Sequence, residues 1–270
     1  MQAADALVKA QLDRLPVLPA IAHQLIRSFD DPDIRTDAIA TSIASDPVLA
    51  GRILRAANSA YFSPPRPLDT IEQALRYLGF GQIRSIILTS VLQTSIPAGF
   101  GDLTAYWRRS LRTAAYAKTL AGWLNAPGES SYLLGLVHDL GYLILRLAAP
   151  SEIADIERQC KGRAMQLAAE HSTLGCSSLA VTAALLRIWS FPEQHWFAVD
   201  ADNCHTHHVR SDCPPLGPLG ATLHIARHLA AGDSPTLGAH ELALEGLTID
   251  TTSEALAEVD VSGIEALVGH

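Results

Sequence analysis

Along this chain of 270 residues, apolar positions recur every three or four residues, the period of one helix face. Leu18, Ile21, Ala22, Leu25 and Phe29 form the first such stripe, entered through the stiff Leu15-Pro16-Val17-Leu18-Pro19 and ended by Asp31-Pro32-Asp33. Asp46-Pro47 reads as an N-cap with proline at the first helical position, and Leu49, Ile53 and Ala56 line the helix that runs to about Ala57. Pro64, Pro65 and Pro67 then forbid helix and impose a fixed loop. Asp69 and Glu72 have capping-box spacing ahead of Ile71, Ala74, Leu75 and Leu78, and Gly79 closes that helix. Another begins near Gly81, carries Ile83, Ile86, Ile87, Val91 and Leu92, and stops at Pro97-Ala98-Gly99, the expected boundary between two helical halves.

In the second half Leu103, Trp107, Leu111, Ala114, Ala117, Ala121 and Leu124 predict the longest regular helix. Tyr132 to Leu147 is apolar nearly all round, which predicts one continuous helix at the centre of a bundle, with His138 and Asp139 in its middle. Further helices are expected at about 151–160, 163–173, 176–189, 192–199, 217–231 and 252–268, with a polar loop from Asp200 to Pro215. The fold class is all-α, a multi-helix bundle. Its expected parts are an N-terminal helical subdomain over 1–98, a second helical subdomain over 99–232 and a C-terminal helical extension over 233–270. In that extension Leu242, Leu244, Leu247, Leu256, Val259 and Leu267 fit core completion or a homodimer contact equally.

Composition agrees with helix. Hydrophobic residues make up 48% of the chain, aromatic residues 6% and charged residues 18%, with a mean hydropathy of +0.16, which excludes a disordered chain. The net charge of −8 argues against nucleic acid as the main partner, because the average field repels phosphates. No polybasic run suits a membrane surface, and neither a signal-peptide-like apolar run nor an uncharged apolar stretch of spanning length occurs, so a cytoplasmic protein is expected. The cysteines Cys160, Cys176, Cys204 and Cys213 lack a C-x-x-C pair and are expected to be reduced thiols. Cys204, His205, His207, His208 and Cys213 match no zinc spacing and read as a solvated loop. His224 and His228, one turn apart, read as an exposed helix face.

The sharpest chemical feature is Gly135-Leu136-Val137-His138-Asp139-Leu140-Gly141. A carboxylate in so apolar a segment must find a cation, hydrogen-bond donors or a metal. This segment also belongs to an ordered series of motifs. Leu15-Pro16-Val17-Leu18-Pro19, Ser45-Asp46-Pro47-Val48-Leu49, Leu54 to Tyr61, Ile71-Glu72-Gln73-Ala74, Leu78-Gly79 and Arg84-Ser85 come first. Tyr106 to Leu111, the His-Asp segment, Leu185-Leu186 and Trp189-Ser190-Phe191-Pro192 follow. Over roughly residues 12 to 230 the chain resembles the HDOD family, the output-type relatives of the HD-domain phosphohydrolases. The resemblance implies an N-terminal helical subdomain packed on an HD-like one, and a role in bacterial signal transduction through protein contacts.

Against the catalytic HD pattern, whose metals are held by a His, a His-Asp pair and a distant Asp, only His138 and Asp139 remain as a vestigial motif. The first His would fall at Arg109 and the distant Asp at Arg227. An additional His found in many relatives would fall at Ser178, and a later His-His pair near Ala201 and Asp202. Two ligands do not complete a catalytic metal site, so no catalytic residue, metal or cofactor is expected. Arg109 or Arg227 is instead expected to pair with Asp139, with anion binding by these arginines as the alternative. Asp46, Asn58 and Ser59 read as caps and turn formers within a half suited to partner binding. The expected function is a non-catalytic signalling module docking a protein partner. The alternative is a metal-dependent phosphohydrolase of nucleotides or cyclic dinucleotides, completed by ligands such as His171 or His224.

Overall fold

The computed structural model describes residues 2–11, 20–27, 43, 46–59, 62–95, 100, 102–207 and 213–231, and every long regular element among them is an α-helix. Leu18, Phe29, the Leu15–Pro19 entry, the Pro97–Gly99 boundary and the whole of 233–270 lie outside the described residues. The described residues form two compact units, one of residues 20–108 and one of residues 2–11 with 109–231. The N-terminal helix groups with the second half.

In the unit of residues 20–108, α2 (Ala20–Arg27) and α3 (Pro47–Ala57) pack on α4 (Ile71–Ser95). Ala22, Leu25, Ile26, Ile53, Ala57, Ile83 and Ile87 are buried there. Asp46 caps α3 as its spacing predicts, with Oδ1 accepting the Leu49 amide at 3.0 Å. The cap of α4 sits one residue later than the Asp69–Glu72 spacing suggests: Thr70 Oγ1 accepts the Gln73 amide at 3.2 Å, and Gln73 Oε1 accepts the Asp69 amide at 2.8 Å. Gly79, at φ 78°, breaks α4 where a stop was expected, but the helix resumes at once in a new direction.

The other unit holds α1 (Gln2–Ala10), the main length of α5 (Thr104–Trp123), α6 (Gly128–Val137) and α7 (Leu140–Ala148). It continues through α8 (Pro150–Gln159), α9 (Arg163–Leu174), α10 (Ser178–Ile188), α11 (Glu193–His207) and α12 (Gly217–Ala231). α10 is central and packs on α1, α7 and α11, while α12 packs on α6 and α11. Ala117 and Leu120 of α5, with Leu124 just beyond its end, meet Ala221, Ile225, Ala226 and Leu229 of α12 in one apolar cluster. Asp5 of α1 pairs with Arg187 of α10 at 2.7 Å. Gly128–Ala148 is long and apolar enough to cross a membrane by length and composition, yet 78% of it is buried within the protein.

Two expectations change here. Residues 200–207 are helix rather than loop, because α11 runs on to His207. The segment from Tyr132 to Leu147 is not one helix, since it breaks at His138–Asp139 into α6 and α7. Two glycines account for the break. A Cβ on Gly135 would lie 2.6 Å from Ala114 Cα of α5, and a Cβ on Gly141 would lie 2.1 Å from the Ser178 carbonyl oxygen of α10. Each glycine lets its helix lie directly on a different neighbour, so α6 follows α5 and α7 follows α10. The Gly141 amide accordingly donates to Thr182 Oγ1 of α10 at 2.8 Å.

Gly141→Ala should therefore cost about 3 kcal/mol of stability, because the added methyl meets backbone that cannot yield. Gly122→Ala, on an exposed stretch of α5 with nothing within 4 Å, should instead stabilise by roughly 0.5–1 kcal/mol. Urea titrations of both variants measure the contrast.

Candidate functional site

Asp139 stands between α6 and α7, where an aspartate would ordinarily cap the following helix. Its side chain makes no capping bond. It is instead held by two arginines: Arg109 Nη2 of α5 lies 2.7 Å from Oδ2, and Arg163 Nη2 of α9 lies 2.6 Å from Oδ1. Arg163 also reaches Glu170 Oε1 through Nη1 at 2.6 Å and donates to Ser178 Oγ. Glu170 Oε2 accepts the Ser178 amide at 2.7 Å, so Glu170 supports the first turn of α10 and the guanidinium together. Asp139 and Glu170 are each only 1% exposed. Burial alone would raise the Asp139 pKa. Arg163, then Arg109 and His138, prevail and hold it far below the usual carboxylate range.

Tyr142, one turn into α7, packs its ring beneath the same cations, with Arg163 at 5.2 Å, Arg146 at 5.8 Å and Arg109 at 5.9 Å from the ring centre. Burial and the hydrogen bond to Glu157 push its phenol up to about 12, so it stays a neutral donor. His138 is buried with Nδ1 2.6 Å from the Gly135 carbonyl, and burial pushes its pKa down to about 4.

A second ionic cluster joins α11 and α12. Asp202 Oδ2 accepts Arg227 Nε at 2.6 Å, and Oδ1 lies 2.7 Å from His224 Nδ1 and 3.1 Å from Arg227 Nη2. Thr206 Oγ1 accepts a further Arg227 bond at 3.0 Å. Burial opposes ionisation of Asp202, but Arg227 and then His224 keep its pKa well below the ordinary range.

Arg109 thus pairs with Asp139 as expected, whereas Arg227 does not: it serves Asp202. Ser178 occupies the Asp139 cluster through both its hydroxyl and its amide. Asp46, Asn58 and Ser59 belong to the other unit. There Asn58 ties α3 to the proline loop, its Oδ1 accepting the Leu68 amide at 2.8 Å and its Nδ2 donating to the Leu68 carbonyl at 2.9 Å. The Ser59 amide donates to the Ala56 carbonyl. Of the pair expected on an exposed face, His224 is buried, only 6% exposed, and His228 is half-buried, with the two rings 4.8 Å apart.

Cys204 and Cys213 are not reduced thiols but a disulfide. The extension of α11 and the return into α12 bring their Cα atoms to 5.6 Å. His205 Nε2 lies 2.9 Å from the Pro214 carbonyl and reinforces the same corner. Cys160 and Cys176 are free. His208 lies outside the described residues, and among those residues no three His, Cys, Asp or Glu side chains gather as a metal site.

Arg163 and Glu170 escaped the sequence reading, and Asp202 entered it only as the place of a His absent here. One signal was available, because Arg163, Leu167 and Glu170 follow i, i+4, i+7 spacing, so opposite charges flank an apolar position on one face. Asp202 and Thr206 stand one turn apart in the same way.

The family model described as the HDOD domain matches residues 15–204. The chain belongs to the HDOD family. An uncharacterised protein of Treponema pallidum (strain Nichols) is 24% identical over 196 residues, which is 70% of this chain and 37% of that protein, so this HDOD chain spans just over a third of its relative. Among solved structures, an HDOD domain protein of unknown function from Geobacter sulfurreducens is 23% identical with a TM-score of 0.77, covering 99% of this chain and 97% of its own. A candidate phosphohydrolase from Shewanella amazonensis SB2B is 23% identical with a TM-score of 0.75, covering 97% of each chain. A candidate signal transduction protein from Marinobacter aquaeolei VT8 is 22% identical with a TM-score of 0.76, covering 95% of this chain and 59% of its own. These likenesses establish the HDOD fold.

The residues present do not suit a divalent metal. Both Asp139 oxygens already accept guanidinium hydrogen bonds, and the arginines at 109 and 227 carry charge of the metal's own sign.

Arg163→Met should destabilise by about 3–5 kcal/mol, because it strands Glu170 and leaves Asp139 with Arg109 alone. Arg109→Met should cost less, since Arg163 still holds Asp139; denaturant melts give the order. His138 has a lowered pKa in the fold, so below about 6.5 the unfolded chain binds the extra proton. Stability should fall as the pH drops from about 6.5 to about 4, and His138→Gln should flatten that slope.

Proposed function

We propose that this HDOD protein is a non-catalytic signal-transduction module that acts by docking another regulatory protein in the bacterial cytoplasm. The observation that carries this reading is the occupation of both Asp139 oxygens by Arg109 and Arg163. A guanidinium has five N–H donors, no lone pair to offer a metal and a fixed charge at every physiological pH. With one arginine at the position of the missing first His and a second brought in from α9, the charge that a metal would supply to this core comes from side chains. Each Asp139 oxygen already faces a guanidinium whose charge opposes a cation, and no side chain here is assigned a catalytic role.

The test is to load the purified protein with Mn²⁺ or Mg²⁺, measure bound metal after desalting, and assay hydrolysis of a generic phosphodiester and of cyclic dinucleotides. Bound metal well below one ion per chain and no turnover are expected. Stoichiometric metal with turnover abolished by Asp139→Ala would overturn the proposal in favour of a phosphohydrolase.

A further inference from the structure

Two side chains that follow one another in the sequence hold the corner between α11 and α12. Cys204, near the C-terminal end of α11, is bonded to Cys213, and His205 Nε2 lies 2.9 Å from the Pro214 carbonyl. The two sulfurs belong to residues that meet solvent unequally: Cys204 is only 2% exposed, whereas Cys213 is half-buried and stands outside the helices. The helices themselves are joined further in, by the buried Asp202–Arg227 pair, by His224 on Asp202 and by the Arg227 bond to Thr206. Leu216 packs on the apolar cluster of α5 and α12 and anchors the approach to α12 separately. The disulfide therefore fastens the return segment to the end of α11, while the contact between the helices has ties of its own. It spans a sequence separation of 9, and a crosslink over so short a loop removes less of the unfolded chain's freedom than one over a long loop.

We propose that Cys204 and Cys213 form a reversible thiol–disulfide switch, opened by a dithiol reductant, that fastens or frees this corner while the rest of the unit stays folded. A thiolate of the dithiol attacks Sγ of Cys213, on the residue that solvent reaches, and forms a mixed disulfide there. The bond between the two cysteines breaks, and Cys204 Sγ leaves with the electron pair and takes up a proton. The second thiol of the dithiol loses its proton and attacks the dithiol's own sulfur in the mixed disulfide, which releases Cys213 as a thiolate that is protonated in turn. Two electrons pass, so the dithiol ends as a cyclic disulfide and the protein as two thiols. An oxidised dithiol runs the same steps in reverse. Opening asks little of the core, because Cys213 to Pro215 form a connection outside the helices and the sulfurs separate when that connection moves. In the cytoplasm of the proposed function a disulfide is uncommon, and one that forms there is typically redox-active. Only this last step rests on that location.

The experiment places the purified full chain, without denaturant, in graded ratios of reduced to oxidised dithiothreitol. Acid quenching, alkylation and peptide mass mapping read Cys204 and Cys213 apart from the free Cys160 and Cys176, and hydrogen exchange is followed on the same samples. Reduction is expected to be complete and reversible in the folded protein. On reduction, amide exchange in peptides covering 203–207 and 213–217 should become about tenfold faster, with 193–201 and 219–229 unchanged. Cys213→Ser, which keeps the buried thiol of Cys204, should exchange at the reduced rate whether or not dithiothreitol is present. Reduction only in denaturant, reduction that unfolds α11 and α12 together with the corner, or a pair of thiols that oxidised dithiothreitol does not join would each overturn the switch. Unchanged exchange at the corner on reduction would overturn it as well. These readouts involve neither metal nor a protein partner, so their failure leaves the docking reading to its own test.

Discussion

A carboxylate buried in the middle of an apolar helix pair cannot remain charged alone, and most of what surrounds Asp139 follows from that constraint. Its two oxygens point to different helices, one toward Arg109 of α5 and the other toward Arg163 of α9. For those arginines to arrive, α6 must lie directly on α5 and α7 directly on α10, which the flanking Gly135 and Gly141 permit. The break between α6 and α7 is thus part of the charge compensation rather than a flaw in a long helix. Glu170 extends the arrangement, since it orients Arg163 and bonds the Ser178 amide at the start of α10.

The second cluster follows the same logic with a different partner. Arg227 lies on α12, and the nearest anion is Asp202 on α11, so the two helices are joined by a charged pair within an otherwise apolar contact. The disulfide between Cys204 and Cys213 closes the corner two residues beyond Asp202. Buried pairs of this kind add modest net stability, because desolvation offsets much of their attraction. Their effect on register is stronger. A helix carrying Arg227 that slides by one turn strands two charges, whereas a sliding apolar face merely repacks.

The helices were legible in the sequence because each exposes one face and buries another, so burial is written as periodicity. Asp46 at the head of α3 and the Leu103–Leu124 stripe need only local rules. Less legible were features set by distant partners. The Asp69–Glu72 cap gave way to Thr70 and Gln73 because several polar residues at a helix start offer equivalent boxes. The break at His138–Asp139 depends on what Gly135 and Gly141 touch on other helices, which composition does not record. Arg109 could be matched to Asp139 through the HDOD motifs, but Arg163 occupies no motif position and was visible only as a charge facing inward beside Leu167. For Arg227 the position was right and the partner wrong, since Asp202 stands where a metal ligand might have been sought and an anion was not.

The arginines also make a metal centre harder to build here than a missing ligand alone would. Returning His to position 109 and Asp to position 227 would leave Arg163 on Asp139 Oδ1, where its charge opposes a cation. The new carboxylate at 227 would face Asp202 with no guanidinium between them, and Asp202 would keep only the His224 ring as partner, which favours its protonation. A metal centre here would need Arg163, Glu170 and Asp202 to change together, since Arg163 balances Glu170 and Arg227 balances Asp202. The core's charge is therefore balanced by organic cations, and Arg163, Glu170 and Asp202, which take part in that balance, lie outside the HD motif.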